Sequence, residues 1–170
     1  MKPTYKYSLF ASSLIIVIDI IVYYAHLQLS PFGIFLGILS FVLMAVPLYL
    51  AIKNRRDNEL GGFITLKQVM GTGLIISVLT GIIVAIFMYI QSKFIDHETT
   101  GLILKKIEEN LRASKVSQPE IDLELSAQKD FYSPLNLAFK KGLMSVLGIG
   151  FILSFICSTF LVKNPPVSEN

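Results

Sequence analysis

The sequence has no tryptophan, one cysteine and two histidines, and only 16% of its 170 residues are charged. Each shortage excludes something. The lone cysteine, Cys157, makes neither an internal disulfide nor a multi-cysteine metal site, and its place inside an apolar run reads as a small buried side chain. The formal net charge is +3 and the basic residues sit in short clusters beside apolar runs, so no basic stripe for nucleic acid is present. Gly71-x-Gly73 lacks the Gly-Lys-Ser/Thr that completes a phosphate loop, and there is no nucleophile elbow or zinc-protease helix. Asp96-His97-Glu98 has metal-ligating residue types, but three adjacent residues do not readily face one ion, and a solvated loop is favoured. Neither a catalytic residue nor a cofactor or metal site is expected, and an enzyme is not the expected reading.

What the chain does have is apolar length. Apolar residues make up 53% of it, gathered into four runs. About 20 apolar residues at about 1.5 Å rise match a hydrocarbon core of about 30 Å. Spans are expected over about 7–28, 31–52, 67–91 and 135–162. The first is too long for a signal-peptide core and is interrupted by Asp19, so it reads as a retained span. Gln28-Leu29-Ser30 is so short a connection that the first two spans must be antiparallel neighbours. In the second, Gly33 and Gly37 form a G-x-x-x-G packing notch and Pro47 predicts a kink.

The third span is the best defined. Gly61-Gly62 suits a turn with positive φ, and Thr65 and Gln68 have the spacing of a capping box. Gly73, Ser77, Gly81 and Ala85 then fall four apart, a stripe along which another helix can approach closely; Gly150, Ser154 and Ser158 repeat that spacing in the last span. The two stripes are candidate partners.

Charge sets the expected topology. Seven Lys or Arg against three acids lie in the segments at the two termini and between spans two and three, which places both termini in the cytoplasm. The segment between spans three and four holds eight of each. Within 96–132, Leu104, Ile107 and Leu111 repeat at helical spacing among charges that include a Glu108–Arg112 pair, and Ser117 with Glu120 makes a second capping box. The fold class expected is therefore all-α: an integral membrane four-helix bundle with an extracytoplasmic helical hairpin.

Asp19 is the single ionisable residue deep in a span. An ionised carboxylate at that depth costs roughly 2.5–3.5 kcal/mol by insertion scales, so it should be protonated, paired or wet. Counting from the span ends puts Ser40, Ser77, Thr80 and Ser154 at similar depth, which predicts one midplane polar layer.

GGFITLKQ before the third span, SQPEIDLE in the insert and FYSPLN before the fourth span together resemble a bacterial membrane family catalogued as domain of unknown function 4199. The resemblance covers nearly the whole chain and rests on the order and spacing of these motifs. It implies four spans, a Gly-Gly-aromatic turn before the third with a glutamine soon after, a Glu-rich extramembrane insert and a bacterial inner-membrane location. It brings no catalytic residues. The functional expectation is an accessory, scaffold or assembly factor working through the lipid bilayer, a membrane protein partner or its own homo-oligomer. The alternative is an oligomeric small-solute transporter or channel subunit using Asp19.

Overall fold

The computed structural model describes residues 3–96 and 98–164. The chain forms α1 (Pro3–Tyr24), α2 (Pro31–Leu43), α3 (Ala45–Asn54), α4 (Leu66–Ile90), α5 (Thr99–Ala113), α6 (Gln118–Phe131), the single turn α7 (Pro134–Asn136) and α8 (Ser145–Leu161). Three π-helical segments extend them: Arg55–Glu59 after α3, Gln91–Ile95 after α4 and Leu137–Met144 before α8. Among the described residues there is no strand, only an isolated antiparallel bridge between Ile64 and Lys163. Four stretches are long and apolar enough to cross a membrane: Thr4–Tyr24, Pro31–Glu59, Leu66–Ile95 and Pro134–Leu161. The fold is an all-α membrane bundle.

Local sequence explains where the helices start and break. Ser30 caps α2 by accepting the Gly33 N–H at 3.0 Å, and Pro31 occupies the first turn, where no donor is required. Pro47 has no N–H to offer the Leu43 carbonyl, and the helix breaks there at Met44 into α2 and α3. The flanking bonds, Met44 N–H to the Ser40 carbonyl and Leu48 N–H to Met44, are both stretched to 3.3 Å. Gly61 and Gly62 adopt φ of 65° and 92° in the turn before α4. Thr65 then accepts the Gln68 N–H at 3.4 Å, and the Gln68 side chain accepts the Thr65 N–H at 2.9 Å.

Two registers hold the bundle together. Thr80 Oγ1 donates to the Ser8 carbonyl at 3.4 Å and Tyr23 OH to the Ile95 carbonyl at 3.2 Å, and each pair is separated by the same 72 positions. One constant offset means that α1 and α4 run parallel in a single register. The α4–α8 pair is antiparallel. A Cβ on Gly73 would run into Ser154, one on Gly150 into Ser77, and one on Gly142 into Ala85, so each four-residue step up α4 answers a four-residue step down α8. Close approach of backbones is what small residues at a membrane helix interface permit.

Apolar packing fills the bundle from one end to its middle. At the end carrying the start of α1 and the end of α8, Leu48, Ile52, Ile64, Val69, Ile76 and Leu161 form one core, with Tyr7 and Leu60 packed against it. Ala11, Ile15, Met44, Val84 and Val146 form a second, further along. Two ties close the terminal end: the Ile64 and Lys163 backbones exchange hydrogen bonds of 2.9 and 3.0 Å, and Arg55 Nη1 donates to Thr72 Oγ1 at 2.6 Å. At the opposite end α5 and α6 pack on each other, and Ile121 of α6 is buried. Arg112 pairs with Glu108 at 2.8 Å, and Glu120 accepts the Ser117 hydroxyl at 2.7 Å. This is the hairpin end.

Candidate functional site: a cavity at the hairpin end

Beyond the second core the helices diverge around a cavity of about 400 Å³. Its walls come from α1, α2, the end of α4, the start of α5, Tyr132 and the π-helical segment before α8. Toward the second core the lining is apolar, with Ile15, Phe41, Val84 and Met88. The other end is polar, with Asp19, Gln91, Asp96, Thr99 and Lys141. Such a chamber suits a molecule with an apolar body and a charged head.

The fixed offset between α1 and α4 explains the polar end. It sets Asp19 level with Gln91, the first polar residue after the uncharged run of α4, so the carboxyl lies near the hairpin end of its span rather than at the middle. The side chains that bear on it are Lys141, Gln91 and Asp96. Asp96 is itself fixed in place, because its Oδ1 accepts the Thr99 N–H at 2.9 Å in the first turn of α5. Among the described residues the ion pairs are Arg55–Glu59, Arg56–Asp57 and Arg112–Glu108; Asp19, Asp96 and Lys141 belong to none of them.

The polar residues expected in one layer with Asp19 lie in three places. Ser40 lines the cavity with it. Ser77 and Ser154 are fully buried in the α4–α8 seam, each donating back to a carbonyl of its own helix, Gly73 and Gly150 respectively. Thr80 faces Ser8 on α1. Because α1 is displaced along α4, equal sequence depth is not equal height.

The small residues divide in the same way. Gly73, Gly81 and Gly150 meet side chains of the facing helix, and Ser158 is buried on the same side of α8. Gly33 fits against the Leu27 carbonyl, which lets the α1–α2 turn lie tight. Gly37 is different: nothing lies within 4 Å of a Cβ built there, and it lines the cavity. The expected G-x-x-x-G notch is thus half a turn contact and half open space. Sequence reasoning missed Gly142, although it continues the four-residue spacing back from Gly150 through Val146. It also missed Gln91, Asp96 and Lys141 as neighbours of Asp19, because no short motif links four elements.

Among the described residues no three His, Cys, Asp or Glu side chains gather closely enough to hold an ion; the Asp96-His97-Glu98 reading includes His97, which lies outside them.

The arrangement as a whole has a counterpart in sequence. A family model described as a protein of unknown function, DUF4199, matches residues 6–163. The chain belongs to this family. No curated protein and no solved structure matches it. In this DUF4199 protein the matched segment contains every helix of the bundle from the first turn of α1 onward, together with the α5–α6 hairpin and the whole cavity lining.

Proposed function

We propose that the protein is a non-enzymatic accessory of the bacterial inner membrane, a scaffold or assembly factor that acts through lipid and protein contacts at its hairpin end. The observation that carries this reading is where the cavity stops. Its floor is the second core, and the first core fills the bundle beyond it, so the chamber is a pocket with one end rather than a pathway along the chain. A pocket that takes up a ligand without passing it on suits recognition. Termini in the cytoplasm, as the charge distribution favours, put the hairpin end outside.

A transporter or channel subunit is the second reading, favoured by Asp19 facing the cavity beside Lys141. Such a subunit would need other copies to supply the rest of the path. Cross-linking in the native membrane followed by gentle purification separates the two. The accessory reading expects a stoichiometric protein partner; a homo-oligomer alone, with solute uptake that Asp19→Asn abolishes, overturns it.

A further inference from the structure

The polar end of the cavity has more acid than base. Two carboxyls, Asp19 and Asp96, line it with one ammonium, Lys141, and the amide of Gln91. Two carboxylates and an amide carbonyl supply acceptors in number for a primary ammonium, which carries three N–H donors. A quaternary ammonium would leave those acceptors without donors. Lys141 then offers a place for an anion next to the bound cation. The deep walls are apolar, and Ile34 and Ile38, which line the cavity, are also 59% and 61% exposed, so the mouth lies beside α2 where acyl chains would be. A chamber of about 400 Å³ is too small to enclose a whole two-chain lipid but falls within the range that holds a head and the first part of a chain.

We propose that this cavity binds the zwitterionic head of an aminophospholipid, its ammonium against Asp19, Asp96 and Gln91 and its phosphate at Lys141, with the chains leaving beside Ile34 and Ile38. The proposal rests on reading the protein as one that works by contact, and it names the lipid contacted. The two π-helical segments that border the cavity fit this picture, since a π-turn re-aims side chains locally; Gln91 opens one of them and Lys141 lies in the other.

The test uses the purified full-length protein, stripped of lipid in mild detergent and titrated with short-chain phosphatidylethanolamine, phosphatidylcholine or phosphatidylglycerol, with bound lipid counted by native mass spectrometry. Phosphatidylethanolamine should bind about tenfold or more tightly than the other two, as hydrogen bonds between charged groups would give. Asp19→Asn should remove most of that preference, whereas Lys141→Gln, at the phosphate that all three lipids share, should weaken the binding of all three and leave the preference in place. Gly37→Leu is the control for folding, because a Cβ there enters open space: it should hold or raise the unfolding temperature and block binding. Equal binding of the three lipids, or full binding by Gly37→Leu, would overturn the proposal. Phosphoethanolamine without chains separates a lipid from a soluble zwitterion, and equal affinity for it would equally reject the lipid. If lipid discrimination fails while the cross-linked partner persists, the site falls and the accessory reading stands.

Discussion

Gly150 and Gly148 lie two positions apart on α8 and face different surroundings. A Cβ at Gly150 would meet Ser77 and come within 3.2 Å of Met44 Cε, whereas nothing lies within 4 Å at Gly148. Overpacking a filled interior costs about 1–3 kcal/mol, while replacing a mid-helix glycine by alanine in open space gains about 0.5–1 kcal/mol. Gly150→Ala should therefore lower the thermal unfolding temperature in detergent and Gly148→Ala should hold or raise it; the reverse order would mean that α4 and α8 are not in contact here. At this scale the sequence was informative only where a residue's neighbours lie on its own helix or repeat with it. Spacing of four marked the seam residues, but it marked Gly37 as readily as Gly73, because spacing says which face a glycine occupies and not what stands opposite. Asp19 shows the same limit. Its rarity singled it out, and its three polar neighbours come from the end of α4, the loop before α5 and the segment before α8.

The helices themselves were legible because apolar run length and end signals act locally. Thr65 and Gln68 both make their capping bonds at the start of α4. Losing the Thr65 side chain removes one of them, and N-cap replacements by alanine cost about 0.5–2 kcal/mol. Thr65→Ala should raise hydrogen exchange at residues 66–69 and lower the unfolding temperature modestly, with exchange at the hairpin end of α4 unchanged. Uniform acceleration along all of α4 would place the weak point elsewhere. Pro47 likewise predicted a kink, and the break is one turn earlier, at Met44, because the missing bond is the one to the Leu43 carbonyl. The π-helical segments were not legible: an apolar run keeps the same composition whether a turn closes at the fourth residue or the fifth. Their positions follow tertiary demands, Arg55 reaching Thr72 at one end and Gln91 and Lys141 facing the cavity at the other.

At the scale of the molecule, orientation decides which side meets the cavity. The end that carries the described terminus of α8, the α3–α4 loop and the start of α1 gathers Lys6, Lys53, Arg55, Arg56, Lys67 and Lys163. Positive residues beside a span remain on the cytoplasmic side, and a balanced segment such as the one containing α5 and α6 puts up little resistance to crossing. Single cysteines report the outcome directly, since the native Cys157 is buried and should stay silent to a membrane-impermeant thiol reagent. Lys53 and Glu109 are both exposed. Glu109→Cys should react on intact cells, and Lys53→Cys only after the membrane is opened. The opposite pattern would turn the bundle over and place the cavity's polar end at the cytoplasmic leaflet. The geometry of Asp19, Asp96 and Lys141 would be unchanged by that inversion, because it is fixed by the α1–α4 register and the seam; what would change is the leaflet from which a lipid head enters, so labelling and lipid binding test independent properties of the same bundle.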